Sequence, residues 1–320
     1  MSESTAGPAT EAEETATRLY TGHRELLFSV VYNMLGSVAD TEDVLQETWL
    51  SLAGRLSRAP LEEIDNPRAY LVRIAVNHAL ARQSAISRRR ETYVGPWLPE
   101  PLVAAAPGQP GPDAGDAADA SLRSESVSLA LLVVLESLSP LERAVFVLHE
   151  VFGYAHTEIA EVLDRSPAAV RQLAHRARAH VQARRPRFAA HPRVRREATR
   201  RFVEAALGGD VGALMEILAP DVTLWTDGGG KVRPAALRPV HGREQVSRMI
   251  ASFGRRRAPE NLEIQYRHVN GDPSAVVFAD DSPYAVMVMD LTPEGDRVSD
   301  IYLVTNPEKL TRVRQEGRRP

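Results

Sequence analysis

A basic stretch near the middle of the chain carries side chains suited to nucleic-acid recognition. Twelve arginines and one acidic residue lie between Arg165 and Arg201, although the whole chain has a net charge of −3. One helical face would hold the hydrogen-bonding residues Arg171, His175, Arg178 and Gln182. The preceding apolar residues, Val170, Ala174, Ala177 and Val181, would form the buried face. Because the positive charge is local, the segment is typical of a DNA-binding element.

The surrounding residues predict a helix-turn-helix that positions this face. Ser139-Pro140 begins one helix, a second runs through Thr157 to Leu163, and a turn follows at Asp164-Arg165-Ser166. Ser166 caps the third helix and Pro167 suits its first position, where a backbone N–H has no helical partner. Charge alone would also fit a solvated arginine-rich helix, but the turn favours the DNA-binding motif.

A recognition helix presents its N-terminal residues to base edges. We therefore expect Ala168, Arg171, Gln172 and His175 to read bases, with Ala169 permitting close approach. The residues assigned to phosphate contact are Arg176, Arg178, Arg184 and Arg185.

Length and composition limit the classes of protein. The 320 residues suffice for two or three domains. The chain has no cysteine, which excludes disulfides and thiolate chemistry, and it shows no HExxH-type spacing, so we expect no metal or cofactor. The acidic, polar start predicts disorder over residues 1–16 rather than a signal peptide. No run of eighteen apolar residues occurs, so we expect no transmembrane helix. We expect a cytoplasmic protein without a membrane partner.

The pattern predicts two all-α helical domains followed by an α+β domain. The helical domains cover residues 17–93 and 122–190, joined by a linker over 94–121 that is rich in Pro, Gly and Ala. Residues 196–320 form the α+β domain, whose predicted strands are Val222–Trp225, Leu262–Tyr266, Ser274–Phe278, Ala285–Met289 and Val298–Val304.

The first helical domain carries a second candidate nucleic-acid surface. Asn66-Pro67 should open a helix through about Gln83. Its inward residues would be Tyr70, Leu71, Ile74, Ala75 and His78. Its other side would carry Arg68, Arg73, Asn77 and Arg82, before the run Ser87-Arg-Arg-Arg90. Aromatic and amide groups beside arginines suit unstacked single-stranded bases, although Tyr70 could equally be a core residue. On the preceding helix, Asp43, Gln46 and Glu47 share an outward face.

Three compact motifs remain. The apolar, proline-rich segment Tyr93–Leu102 is expected to lie in a groove through Trp97, Leu98 and Leu102, a stiff spacer being the alternative. Asp227-Gly-Gly-Gly-Lys231 lacks the phosphate-binding GxxxxGK[ST] frame, and Asn306-Pro-Glu-Lys-Leu310 should begin a short helix. The two lysines of the chain, Lys231 and Lys309, belong to these last two motifs.

The order of these parts resembles the extracytoplasmic-function sigma factors of the sigma-70 family. The motifs that carry the resemblance are Asp-Thr-Glu-Asp-Val-Leu-Gln-Glu-Thr-Trp, Asn-Pro-Arg-Ala-Tyr-Leu-Val-Arg-Ile-Ala-Val-Asn, and Leu-Ser-Pro-Leu-Glu-Arg before the helix-turn-helix. The α+β domain resembles the SnoaL-like branch of the NTF2-like fold, a curved sheet that cups a cavity. Sigma factors with this extension share motifs similar to Trp-Leu-Pro-Glu-Pro, Asp-Gly-Gly-Gly-Lys and Asn-Pro-Glu-Lys-Leu.

The resemblance implies a sigma factor whose partners are core RNA polymerase, through the β′ clamp helices and the β flap, and promoter DNA. It assigns polymerase docking to Asp43, Gln46 and Glu47. The residues implied for the −10 element are Tyr70, Arg73, Asn77, Arg82, Arg88, Arg89 and Arg90. Those for the −35 element are Ser166, Ala168, Ala169, Arg171, Gln172, His175, Arg176 and Arg178.

The resemblance also implies regulation in cis, by intramolecular contact of the C-terminal domain with the sigma core and linker. The residues implied are Trp97, Leu98, Pro99, Glu100, Pro101, Asp227, Gly228, Gly229, Gly230, Lys231, Asn306, Pro307, Glu308, Lys309 and Leu310. We expect Asp227 and Lys231 to pair with groups near Trp97 and Glu100 or in the first helical domain, holding a free form closed until it meets polymerase.

Two other functions fit parts of the chain. The C-terminal domain could be an enzyme, with Asp227, His241, His268 or Asp290 as a general acid or base. The chain could also be a stand-alone, ligand-responsive regulator that binds DNA through Pro167–Gln182, which leaves the motifs of the first helical domain unexplained. Binding of an unknown small ligand by the C-terminal domain is compatible with each interpretation.

Overall fold

The computed structural model describes residues 8–58, 64–104, 127–184, 191–232, 236–256 and 261–315, which form two compact units. The first unit draws its described residues from Met1–Arg88 and Leu135–Val181. The second draws them from Arg89–Asp116, Ser126–Val134 and Gln182–Pro320. No helix in these described ranges has both the length and the apolarity needed to cross a membrane.

The first unit begins with three helices, α1 (Pro8–Leu35), α2 (Val38–Leu56) and α3 (Pro67–Glu91), the last of which ends in the second unit. Ser37 caps α2 by accepting a hydrogen bond from the Asp40 backbone N–H at 3.3 Å. Asn66 caps α3 in the same way, through the backbone N–H of Ala69 at 3.0 Å. Helix α1 packs against α2, and the buried residues of the two helices include Leu27, Val31, Leu35, Val44 and Leu45.

Both ends of this helical block differ from the prediction. Helix α1 begins at Pro8, so the expectation of disorder is wrong from there to Ala16, where closely spaced Ala and Glu favour a helix. Residues 1–7 lie outside the described residues. Helix α3 continues to Glu91 rather than ending near Gln83, because no Gly or Pro interrupts it and Ile86 is buried. The arginine run is therefore helical.

The helix-turn-helix prediction is confirmed. Four helices follow the linker: α4 (Leu129–Leu135), α5 (Pro140–Phe146), α6 (His156–Leu163) and α7 (Pro167–Arg184), with a π-helical turn at Val147–Val151 after α5. Asp164 ends α6 in a left-handed conformation, with φ of 52°. The Ser166 hydroxyl then accepts the Ala169 N–H at 3.2 Å and caps α7, as expected.

The second unit contains helices α8 (Pro192–Gly208), α9 (Val211–Ile217) and α10 (Arg243–Arg256) and a six-stranded sheet. The strands are β1 (Leu218–Asp227), β2 (Val240–His241), β3 (Leu262–Val269), β4 (Asp272–Ala279), β5 (Ser282–Leu291) and β6 (Val298–Val304). Their order is β2-β1-β6-β5-β4-β3. Only the β1–β6 pair is parallel among these strands. All five predicted strands occur, most of them longer than predicted.

Both faces of this sheet are buried. Leu224, Met287 and Ile301 belong to one apolar cluster with α8, α9 and α10. The opposite face contributes Val276 and Phe278 to a second cluster. That cluster is completed by Leu98 of the linker, Leu129 and Ala130 of α4, and Leu310 and Val313 of the C-terminal segment. The linker is therefore part of the core of the second unit.

Candidate nucleic-acid surfaces and the linker site

The two faces of α7 are those predicted. Val170, Ala174, Ala177 and Val181 are buried. The exposed residues include Ser166, Ala168, Arg171, Gln172, His175 and Arg176. Ala169 is partly buried beside the cap. This face offers guanidinium, amide and imidazole groups at the N-terminal half of the helix, the donors and acceptors that base edges match.

Two arginines assigned to phosphate contact already have acidic partners. The Arg176 Nε lies 3.1 Å from a Glu142 carboxylate oxygen on α5. Arg178, which is half-buried, pairs with Glu150 on the π-helical turn. A phosphate would have to replace these acids, so both contacts would be weaker than those of an unpaired arginine. Arg184 is exposed, and Arg185 lies outside the described residues.

Helix α3 keeps part of the predicted surface for single-stranded bases. Arg73, Asn77, Arg88 and Arg89 are exposed on it, and Tyr70 is partly buried. Asn77 and Arg73 lie four residues apart and share a face.

Two residues predicted to face the −10 element are engaged elsewhere. The Arg82 Nε donates to an Asp40 carboxylate oxygen at 3.0 Å, and its guanidinium also pairs with Asp43. The Arg90 guanidinium lies over the Trp97 ring, 3.5 Å from the ring centroid. Asp40 and Asp43 lie on another helix, and Trp97 lies in the linker. Residue spacing along α3 therefore could not predict these contacts.

Helix α2 presents an acidic face. Asp43, Gln46 and Glu47 are exposed together, as predicted. The His78 Nδ1 lies 3.4 Å from a Glu47 carboxylate oxygen. His78, predicted to point inward, is half-buried and also contacts the Ser51 hydroxyl at 3.0 Å. The face is thus acidic, and the Arg82 guanidinium offsets part of its charge.

The strongest site in the second unit surrounds Asp227, whose side chain is 0 % exposed at the end of β1. The Leu98 backbone N–H donates to Asp227 Oδ2 at 2.8 Å. The Tyr93 hydroxyl donates to Oδ1 at 2.5 Å. Lys309 completes the set with an ion pair to Oδ2 at 2.7 Å. One carboxylate therefore joins the linker, the sheet and the C-terminal motif.

Lys309 is the cation of this site. Its ammonium also donates to the Leu98 carbonyl and lies 4.0 Å from the centroid of the Trp97 ring. Burial lowers the pKa of Lys309 to about 8, while the neighbouring Asp227 opposes that shift. The charge of the amine is therefore favoured by Asp227 and opposed by burial.

Tyr93 was not among the predicted site residues. Its hydroxyl donates to Asp227 and accepts a hydrogen bond from the Asn306 side-chain amide at 2.8 Å. Burial, reinforced by the bond to Asp227, raises the pKa of Tyr93. In the sequence, the feature that could have indicated this role is that Tyr93 is the first residue of the apolar linker segment.

Lys231 does not make the predicted contact with the surroundings of Trp97 and Glu100. It is exposed and pairs with Glu308, which is exposed as well. The preceding glycines are constrained instead: Gly229 has φ of 58°, and a Cβ there would lie 2.5 Å from the Asn306 amide nitrogen. At Gly230, with φ of 72°, a Cβ would lie 2.9 Å from Val94. Only glycine lets this turn approach the linker so closely.

The rest of the linker motif lies in a groove, as predicted. Leu98, Pro99, Glu100 and Pro101 are all buried. The Asn270 side chain accepts the Leu102 N–H at 3.1 Å, and Val103 bridges to Val269 beside the edge strand β3. Residues 105–121 of the predicted linker lie outside the described residues.

The four residues considered for catalysis are not gathered in the cavity of the second unit. None of Asp227, His241, His268 and Asp290 belongs to its lining. Asp227 is committed to the linker, and Asp290 lies 3.7 Å from Arg195. Among the described residues, no three His, Asp or Glu side chains are grouped as metal ligands.

Comparison with known families gives three matches in the predicted order. The sigma-70 region 2 model matches residues 19–90, the sigma-70 region 4 model matches residues 128–181, and the SnoaL-like domain model matches residues 199–308.

Two curated relatives extend over nearly the whole chain. The ECF RNA polymerase sigma factor SigJ of Mycobacterium tuberculosis is 36 % identical over 90 % of this chain and 91 % of its own length. The probable sigma factor SigI of the same organism is 30 % identical over 92 % of this chain and 94 % of its own.

The crystal structure of M. tuberculosis SigJ is similar with a TM-score of 0.71 and 33 % identity, covering 92 % of this chain and 98 % of that one. These matches confirm the predicted fold class, helical sigma regions 2 and 4 followed by a SnoaL-like domain of sheet and helices. The chain belongs to the extracytoplasmic-function sigma factors with a C-terminal SnoaL-like domain, and it functions with core RNA polymerase and promoter DNA in transcription initiation.

Proposed function

We propose that α7 reads the −35 element through Arg171, Gln172 and His175, with Ala168 and Ala169 allowing close approach. The support is the exposed polar face at the N-terminal half of the helix. Arg176 and Arg178 can contact phosphates only after their ion pairs with Glu142 and Glu150 break. We therefore expect their contribution to binding to be smaller than that of Arg184.

We further propose that α3 captures the −10 element. Arg73, Asn77, Arg88 and Arg89 are among its exposed polar groups, and Tyr70 at its start is partly buried. Arg82 serves a different purpose, because its guanidinium holds the acidic side of α2 through Asp40 and Asp43.

The acidic face of α2 is the proposed docking surface for the β′ clamp helices of polymerase, with Asp43, Gln46 and Glu47 as contacts. Acidic groups on one exposed helix face attract a basic partner and set its orientation. The −35 domain is assigned to the β flap by its resemblance to the family. Binding to polymerase and to the chromosome requires a cytoplasmic location, and we propose that location for this protein.

We propose that the SnoaL-like domain regulates the sigma factor in cis by holding the linker. The observation that carries this proposal is the buried Asp227 carboxylate, shared by Leu98, Tyr93 and Lys309. A docked linker is fixed in one conformation, so it is not free to follow a path along polymerase. We infer a closed free form in which the linker is held and an open form on polymerase in which it is released.

Run-off transcription with purified core polymerase tests the regulation. The full chain is compared with the Asp227→Asn and Lys309→Met variants on a promoter from its own upstream region. Both variants weaken linker docking, so transcript yield should change by about fivefold or more at limiting polymerase. Binding to duplex −35 DNA should stay within about twofold, because α7 is untouched.

A matched control is Asp221→Asn, since Asp221 is an exposed residue on the same strand as Asp227. It should transcribe like the parent chain. Equal yields from the parent, Asp227→Asn and Lys309→Met would contradict regulation through the linker, and the sigma-factor assignment would stand.

A further inference from the structure

The SnoaL-like domain contains a cavity of about 130 Å³ between its sheet and helices. Phe202 and Leu207 of α8, Met249 and Ile250 of α10, and Ile264 and Met287 of the sheet contribute to its wall. Leu207 is 47 % exposed, so the cavity reaches the surface at the end of α8.

The chemistry of the lining defines the kind of molecule it would accept. Among the described residues, its only hydroxyl groups are those of Thr226, Tyr284 and Thr305, and no charged side chain lines it. The Thr226 hydroxyl accepts a hydrogen bond from the Ala236 backbone N–H at 2.7 Å. The Thr305 hydroxyl donates to the Asp227 carbonyl at 3.1 Å. An ionic or strongly polar ligand would lose its hydration without replacement, so the lining fits an uncharged apolar molecule.

The size of the cavity limits the ligand further. A cavity of about 150 Å³ with aliphatic and aromatic walls is sufficient for benzene. At about 130 Å³ this cavity is of the same order. It therefore suits a single aromatic ring or an aliphatic molecule of comparable size, on the order of six to ten non-hydrogen atoms.

The cavity shares its wall with the linker site. Thr226 lines the cavity, and the next residue of β1 is Asp227. Thr305 lines the cavity from the end of β6, and its backbone N–H donates to the Asp227 carbonyl at 2.8 Å. Val232, just beyond the glycine turn, also belongs to the lining. A molecule in the cavity would thus press on the residues that fix the position of the Asp227 carboxylate.

We propose that this cavity binds an uncharged apolar small molecule, and that its occupancy changes how firmly Asp227 holds the linker. The second half of the proposal rests on the proposed regulation in cis. Because coupling between two sites is reciprocal, loosening the linker must change the affinity of the cavity by the same factor.

Direct binding is measured on the full chain with fluorobenzene, detected by fluorine NMR, against 4-fluorobenzoate as a charged molecule of similar ring size. Fluorobenzene should bind saturably with a dissociation constant on the order of 0.1–1 mM. The benzoate should bind at least tenfold more weakly, because its carboxylate finds no cation in the cavity. Absence of saturable fluorobenzene binding, or equal binding of both probes, would overturn the site.

Substitutions in the cavity lining test where fluorobenzene binds. Ala206 lines the cavity, so Ala206→Phe should reduce fluorobenzene affinity at least tenfold, whereas Ala198→Phe on the same helix, away from the lining, should not. Leu207→Trp narrows the mouth at an exposed position and keeps the test decisive if Ala206→Phe does not fold. Unchanged affinity in every folded variant of the lining would place the probe elsewhere.

The coupling is measured by comparing fluorobenzene affinity in the parent chain and in Asp227→Asn. A change of about fivefold or more supports coupling, and identical affinities refute it. If fluorobenzene does not bind while Asp227→Asn alters transcription, only this inference fails. If fluorobenzene binds while the variant transcribes normally, the cavity site stands and regulation through the linker fails.

Discussion

Replacing Asp227 with asparagine should release the linker from the SnoaL-like domain. The carboxylate oxygens receive hydrogen bonds from Leu98, Tyr93 and the Gly229 backbone N–H, in addition to the ion pair with Lys309. Asparagine has one acceptor oxygen where aspartate has two, so at least one donor loses its partner. Each buried donor left unpaired costs about 1–3 kcal/mol.

The larger cost comes from Lys309, whose side chain is 11 % exposed. Removing one partner of a buried ion pair typically costs about 3–5 kcal/mol, because the remaining charge has no counter-ion. The Leu98 carbonyl and the Trp97 ring still face the ammonium, so we expect the lower half of that range. A loss of about 3–4 kcal/mol corresponds to a shift of roughly two to three orders of magnitude in linker docking.

Hydrogen exchange of the linker measures this shift. In the parent chain the Leu98 N–H is buried and bonded to Asp227, so it exchanges only when the linker opens. Asp227→Asn should accelerate that exchange by at least about a hundredfold. Asp221→Asn should leave it unchanged.

A double substitution tests the cause. Because Asp227→Asn combined with Lys309→Met leaves no uncompensated charge, its linker should exchange more slowly than that of Asp227→Asn alone. Exchange in Asp227→Asn within about threefold of the parent would refute the reasoning. A double variant that loses as much linker-docking free energy as the two single variants lose together would show that the two side chains do not interact.

Three further outcomes are expected. Arg171→Ala should weaken binding to the specific −35 duplex by about 1–3 kcal/mol, as measured by fluorescence anisotropy. Its affinity for an unrelated duplex should stay within a few-fold of the parent. Equal losses of affinity for both duplexes would assign Arg171 to phosphate contact. Gly230→Ala should lower the free energy of unfolding of the second unit by more than about 1 kcal/mol in urea, because its Cβ would meet Val94 at a positive φ; an unchanged midpoint would show that the turn relaxes. Burial, followed by the charge of Asp290, raises the pKa of Asp300, so charging this carboxyl at neutral pH costs folding free energy. Asp300→Asn should therefore be more stable than the parent at pH 7, with the difference disappearing as the pH falls below 3.8, the unperturbed value; a difference that does not vary with pH would contradict this.

Local signals in the sequence were sufficient to predict the elements. Ser166 and Pro167 marked the start of the recognition helix because a cap and a fixed φ act within one turn. The apolar strands of the C-terminal domain were recognisable by composition, and their continuous apolar character reflects burial on both faces. The proline-rich linker motif was predicted to lie in a groove because it was too apolar for a solvated spacer.

Contacts between residues that are far apart in the sequence could not be predicted from local patterns. Strand β1 pairs in parallel with β6, and the register places Asp227 opposite Val304. That pairing brings Lys309, rather than the nearby Lys231, to the carboxylate. Arg82 and Asp40 likewise meet across two helices. Spacing along one helix predicts which face a residue occupies, but it carries no information on which distant charge lies opposite.

The burial of Leu98 and Leu129 against the sheet has a consequence for gene architecture. Both side chains are 0 % exposed, and both precede the recognition helix in the chain, although the sheet that covers them follows it. The second unit is therefore built from separate stretches of the sequence, and a stop codon before the SnoaL-like domain would leave these apolar side chains without the sheet that buries them. Exchange of this domain between related sigma factors should succeed only when the linker motif and the start of α4 are exchanged with it. Recombination at a single point between them would separate surfaces that pack against each other.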